Sequence, residues 1–331
     1  MKCTHTQRWT AITLLLALCG VCVEAATAQD RRVPPRVGEL WSGNEVAAEP
    51  YRRPYLEGMR ALGWVDGQTM RSIVRYDDGD PSRFSALAAE LIALGIDVLV
   101  VTDRALPGAR NATTRIPIVC LDMYDPIAEG VTSNLARPKG NVTGVSWQSI
   151  ETAAKRLELA KQLLPGLRRV ALLTDAGEPG AVIEANALSA TAASAGVKLR
   201  IFAVRLPEEL PAVFATLKSD RPEVLIVSTN SFTTINFEAI VRFVSGSKLP
   251  AISEAAEFAR AGFLLTYGPD VSDTYRRGAI QVDRILRGMK PGDVPFEQPT
   301  KFELVVNLRT AKALGLKVPE LIMVRATEVI R

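Results

Sequence analysis

The sequence predicts an α/β protein built as two Rossmann-like, doubly wound lobes, and three observations carry that expectation. Short apolar runs such as "IDVLVVTD", "IPIVCLDM" and "EVLIVSTN" are rich in β-branched residues and lack polar alternation. Strands of that kind are buried on both faces, which is the signature of a parallel sheet under helices. The runs alternate with amphipathic helical patterns such as "DPSRFSALAAELIALG" and "ETAAKRLELAKQLLPG". The βαβ series then restarts after about residue 143, repeating the order of the first half but not its sequence, so two sheets are expected rather than one.

The elements follow in sequence. "RVGELW" reads as a strand and "YRRPYLEGMRALG" as a helix closed near Gly63; "RSIVRYDD" is strand-like. Asp80 then stands as an N-cap with Pro81 at the first helical position. "IDVLVVTD" leads into a helix around 104–113, and "IPIVCLDM" ends at Asp125-Pro126, a capping pair that opens a short helical segment, "IAEGVTSNLA". The second series runs through "RVALLTD", "KLRIFAV", "EVLIVSTN", "LPAISEAAEF" and "GFLLTYGPD" to a helix across 271–288. The join "RPKGNVTGVSWQS" is short and carries no Gly/Ser tract, as a hinge crossing would be.

Composition narrows the function. The 331 residues are 47% hydrophobic and 23% charged, as in ordinary soluble domains. Lys2 and Arg8 precede an apolar run at residues 11–23, and Ala26-Thr27-Ala28 offers a cleavage site, so 1–28 reads as a signal peptide and the mature protein as periplasmic. Removing it takes Cys3, Cys19, Cys22 and the single histidine, His5. Cys120 is left alone as a buried thiol, and Ser-His-Asp, Cys-His and ordinary zinc sites become impossible. The segment carries two cations and one anion besides, so the net charge falls from +4 to about +3 and gives no reason to propose nucleic acid. No G-x-G-x-x-G, Walker or G-x-S-x-G motif occurs, so neither a nucleotide cradle nor a nucleophile elbow is supported. Neither cofactor nor metal is expected.

Open parallel sheets bind ligands beyond the carboxyl ends of their strands. Trp41, Ser42 and Gly43 stand at one such end, Thr102 and Asp103 at a second, and Tyr124 and Asp125 at a third. Asp175 ends the first strand of the second series, and Thr229 and Asn230 the third. Glu254 and Tyr267 follow in the same way. Each has a plain structural alternative: Asp125 and Asp175 as helix caps, Thr102 and Thr229 as strand-end residues, Trp41 as a core or rim aromatic, Tyr267 as half-buried structure, Glu254 as a cap or half of an ion pair. Their repeated position is what makes a two-sided cleft.

The chain also resembles a known family. "DGDPSRFSALAAELIALGIDVLV", "IPIVCLDMYDPIAEG", "NLARPKGNVTGVS", "LLTYGPDVSDTYRRGAIQVDRILRGMKPGDVPFEQPTKFELVVNLRTAKALGL" and "ATEVI" are similar to the ABC transporter substrate-binding proteins of the tryptophan/tyrosine type, which have the type I periplasmic binding protein fold. The resemblance implies three hinge crossings, with one lobe from 33–143 plus about 267–290 and the other from 144–266 plus 291–331. It implies a protein that clamps a small solute and hands it to the membrane permease and ATPase subunits of an importer. Strand-end N–H groups and hydroxyls suit a carboxylate, Asp125 and Asp175 an ammonium, and Trp41 and Tyr124 an apolar body, so a small amino-acid-like or aromatic acid is expected, held by a monomer. Tyr124, Asp103-Arg104 and Asp175 depart from the family's usual residues and add charge and an aromatic ring where ligand would lie. A sensor's ligand-binding module and, further off, a secreted α/β enzyme are the alternatives.

Overall fold

The computed structural model describes residues 33–331; the expected signal peptide lies outside the described residues. A five-stranded, wholly parallel sheet forms first, from β1 (Arg36–Trp41), β2 (Arg71–Tyr76), β3 (Val98–Val101), β4 (Ile118–Met123) and β5 (Val142–Ser146), in the spatial order β2-β1-β3-β4-β5. Helices α1 (Glu45–Ala61), α2 (Phe84–Ala93) and α3 (Leu106–Ala112) connect its strands. Asn44 caps α1 by accepting the Ala47 N–H, so this helix opens earlier than its apolar pattern suggested. Asp80 accepts the Ser82 N–H ahead of a 3₁₀ turn leading into α2, as expected. The segment after Asp125 is a correction: residues 126–136 form successive turns and not a helix. Gly130 at φ +68° interrupts any helical run there.

The second sheet has seven strands. β6 (Arg169–Asp175), β7 (Lys198–Val204), β8 (Val224–Val227), β9 (Ala251–Ser253) and β10 (Leu265–Pro269) are parallel; β11 (Phe302–Asn307) runs antiparallel to β10, and β12 (Glu328–Ile330) runs parallel to β11. Their order is β12-β11-β10-β9-β8-β6-β7. Around it lie α4 (Ser149–Leu163), α5 (Pro179–Ser194), α6 (Leu210–Asp220), α7 (Ser231–Ile235), α8 (Phe237–Ser247) and α9 (Ala256–Arg260). The next helix, α10 (Val271–Leu286), returns to the first sheet, where it packs on α1, β4 and β5. Trp64 fixes that packing by donating from Nε1 to Asp283 at 2.8 Å. Short helices α11 (Leu308–Ala313) and α12 (Glu320–Arg325) complete the second lobe.

The chain crosses between sheets at three places, each a little later than the sequence reading put it. β5 keeps 142–146 in the first sheet; Tyr267 belongs to the second sheet, and the chain leaves it only after Pro269; and Glu297 still bridges to Val145 before β11 begins. The crossings are tightly built. A Cβ on Gly144, at φ +155°, would sit 1.9 Å from the Cys120 carbonyl oxygen, so no side chain fits where β5 approaches the hinge. Gln148 takes φ +53° immediately before α4.

Candidate functional site

In an open α/β sheet the cleft forms where strand order reverses. The first sheet reverses at β1 and β3 and the second at β6 and β8, and residues just beyond these strands, Ser42 and Thr102 from one sheet and Thr229 from the other, line one cleft. At the first reversal, the Ser42 and Thr102 hydroxyls lie 2.8 Å apart. At the second, Thr229 shares a hydrogen bond with Ser253 and accepts the Ala255 N–H.

The two lobes are shut against each other. Tyr51 reaches Thr234 across the cleft at 3.3 Å, and the Tyr124 hydroxyl donates to the Thr229 carbonyl at 3.4 Å. Arg104 of the first lobe meets Asp175 of the second at 3.2 Å, with both side chains buried. Gly180 lets α5 slide under Tyr124, since a Cβ there would fall 2.6 Å from the ring. A single buried apolar cluster runs from Tyr55, Met59 and Val282 to Leu225, Ile240 and Phe258, and so spans both lobes.

Inside the closed cleft, aromatic rings and polar side chains line the same space. Tyr275 organises the aromatic group: its ring stacks on Trp41 at 6.0 Å, tilts against Tyr51 at 5.4 Å and meets the edge of Trp147 at 6.3 Å. Asp122 and Glu178, one from each lobe, line the cleft with Ser149 and Ser231. Asp122 accepts the Tyr275 hydroxyl at 2.9 Å and the Asp103 N–H at 2.7 Å. Burial nevertheless pushes its pKa up to about 6. Glu178 precedes Pro179 at the start of α5 but makes no side-chain cap bond, and its Oε2 is buried without a hydrogen-bond partner. Burial holds it well above the ordinary carboxylate range; Asp175 and Asp122 add to the shift and Arg104 opposes it. Two orphaned donors also belong to the lining, the Trp147 indole N–H and the Asn230 amide.

Of the residues expected from sequence, Trp41, Ser42, Thr102, Tyr124, Thr229 and Asn230 line this cleft. Gly43 adjoins it at φ +81° and donates its N–H to Asp77. Asp103 and Asp175 lie behind the lining, one under Asp122 and the other on Arg104. Three others sit elsewhere. Asp125 caps its turn, accepting the N–H groups of Ile127 and Ala128. Glu254 is buried 2.5 Å from Arg156 inside the second lobe. Tyr267 stacks on Phe302 at 6.1 Å in a separate groove beside Lys155 and Arg325. Tyr51, Asp122, Trp147, Ser149, Glu178 and Tyr275 were not anticipated. Asp122 alone carried a signal: a carboxylate inside the apolar strand "IVCLDM" must face something other than core.

This fold and cleft define a two-lobed solute-binding protein of the type I periplasmic kind. The sequence profile of the ABC transporter substrate binding protein family matches residues 49–330, and the chain belongs to that family. It is 23% identical over 269 residues to a tyrosine-binding protein of Clostridioides difficile (strain R20291), covering 80% of this chain and 76% of the relative. Among solved structures, a conserved domain protein from Vibrio cholerae superposes with a TM-score of 0.84 at 24% identity, covering 90% of this chain and all of that one. An ABC domain in complex with L-Trp from Streptococcus pneumonia superposes at 0.82 with 25% identity and the same coverage.

Proposed function

We propose that this protein is the periplasmic solute-binding component of an ABC importer, taking an ammonium-bearing solute with an aromatic body between its lobes and presenting it to the membrane permease. The observation that carries the reading is that the Trp41–Tyr51–Trp147–Tyr275 ring group and the Asp122 and Glu178 carboxyl groups line one closed cleft. Aromatic faces hold the apolar body, and carboxylates from both lobes hold the cation. A ligand touching both lobes stabilises the closed form over the open one by its differential affinity, and the closed form is what a permease would recognise. The tyrosine-binding and L-Trp-bound relatives support an amino-acid-like solute. The lobes are assigned to 33–146 with 271–297 and to 149–269 with 302–331, on the two sheets and the helices that cover them. Export rests on the amino-terminal sequence pattern.

Thermal unfolding of ligand-free, refolded protein against aromatic amino acids, their amides and amines, and polyols tests the reading. Aromatic ammonium compounds should raise the melting temperature, because a ligand selective for the native state stabilises it. Mass spectrometry should recover them unchanged. Stabilisation by polyols alone, or conversion proportional to protein concentration, would contradict it.

A further inference from the structure

Closing the lobes buries a pair of charges outside the cleft lining. Arg104 stands in the turn after β3 and Asp175 ends β6, so each lobe supplies one. Their side chains meet at 3.2 Å, only 4% and 0% exposed, and neither lines the cleft. Among the described residues it is the one ion pair that joins the lobes away from the hinge, where Lys301 meets Asp273. The Asp175 Oδ1 also accepts the Gly177 N–H at 2.6 Å. A side chain on Gly177 would crowd both partners, its Cβ falling 3.1 Å from that Oδ1 and 3.3 Å from the Arg104 Nη2. Burial raises Asp175, and Arg104 opposes the shift. The guanidinium bears on Glu178 and Asp77 too, while its Nε is buried without a hydrogen-bond partner.

Opening the lobes returns both groups to water. Closing strips that water away, and their mutual attraction offsets the loss only while both are present. Deleting one therefore leaves its partner buried and unpaired in the closed form, and costs the open form little. The other polar contacts across the cleft, Tyr51 with Thr234 and the Tyr124 hydroxyl with the Thr229 carbonyl, are neutral and belong to residues of the lining itself.

We propose that Arg104 and Asp175 are positioning residues for solute binding: together they latch the lobes, set the balance between open and closed forms, and so set the affinity for every solute by a common factor without touching any. This rests on the reading that solute is held by closure, and one arm of the test needs no solute.

The variants are Arg104→Met, Asp175→Asn and the two combined; asparagine keeps an acceptor for Gly177. Spin labels on the exposed Val46→Cys and Leu206→Cys, in the chain without its first 28 residues, report lobe separation by pulsed electron resonance. In ligand-free protein each single variant should shift the ratio of short to long distances about tenfold toward long, and the double variant should restore most of it. In calorimetric titrations the affinities for L-tryptophan and L-tyrosine should both fall by the factor by which the closed fraction falls. The unfolding curve of ligand-free protein should scarcely move. Losses that add in the double variant, or that differ between the two solutes, would make these residues solute contacts and overturn the latch. Distances that no variant alters would overturn it as well, and a fall in stability alone would assign the pair to folding. If the distances respond as expected but neither solute binds, the latch stands and the solute reading falls.

Discussion

Two buried charge clusters, each built on one arginine, serve opposite ends in this molecule. In the second lobe Arg156 lies between Glu184 and Glu254, with Ser228 donating to Glu184. Every member belongs to α4, α5 or the strand ends of one sheet, so the cluster exists whether the cleft is open or shut. Burial raises Glu254 to about 8, although Arg156 opposes it. At the cleft, Arg104 and Asp122 come from the first lobe and Asp175 and Glu178 from the second. That cluster assembles only when the lobes meet, and it holds three carboxyl groups to one guanidinium. The difference is instructive: buried charge closed within one lobe bears on folding, and buried charge divided between lobes bears on binding.

The largest effect should come from breaking the first cluster. Arg156→Met leaves two buried carboxyl groups without their cation, and a loss of about 3–5 kcal/mol is expected in denaturant unfolding. A loss under about 1 kcal/mol would mean that Glu184 and Glu254 manage by sharing protons, and the contrast with the cleft would weaken.

At the cleft the effect should appear in affinity and its pH dependence. The folded pKa of Asp122, about 6, lies above its ordinary value near 4. Its contribution to ligand-free stability is therefore full below about pH 4 and lost as pH rises through about 6, where the fold must hold a buried charge. Binding has the opposite sign, because an ammonium needs the carboxylate: affinity should rise through that window. Asp103, Glu129, Glu178 and the Tyr275 hydroxyl face the same group. The Asp122→Asn variant isolates its share. Above the window it should bind an aromatic ammonium ligand about 10- to 150-fold more weakly, the worth of one charged hydrogen bond, and lose most of the slope. An unchanged slope in calorimetric titrations would assign the titration elsewhere.

The smallest effect is expected at Asp125. Its carboxylate caps a turn outside the cleft lining, so Asp125→Ala should cost about 0.5–2 kcal/mol of stability and Asp125→Asn much less. Neither should alter affinity. A binding defect in the Asn variant, measured beside its unfolding curve, would bring this residue back into the site.

The fold was largely legible because periodicity and strand-end position are local properties. The runs around "VLVV" and "VLIV" can only be central parallel strands, and strand ends mark a cleft wherever the order reverses. That logic pointed to Trp41, Ser42, Thr102, Tyr124, Thr229 and Asn230, which line the cleft. It could not find Tyr51 and Tyr275, which project from the interiors of α1 and α10 and meet only through helix packing between segments more than 200 residues apart. Trp147 depends on a left-handed turn at Gln148 that no local signal announced. Glu178 looked like a helix-start residue because it precedes a proline, and only closure shows that its side chain faces the cleft. Glu254 and Tyr267 lie outside the cleft lining for the converse reason: one follows β9 but is turned inward to Arg156, and the other stands within β10 and faces Phe302.

The central claim is that ligand closes the two lobes over the aromatic and acidic residues of the cleft. Val46 beside the first lobe's rim and Leu206 beyond the end of β7 are both exposed, and the native Cys120 is buried. Spin labels on Val46→Cys and Leu206→Cys, in the chain without its first 28 residues, report the separation of the rims by pulsed electron resonance. The account predicts a broad distribution for ligand-free protein that collapses to a single shorter distance when an aromatic ammonium ligand saturates the cleft. Saturation by calorimetry with no change in that distribution would contradict it.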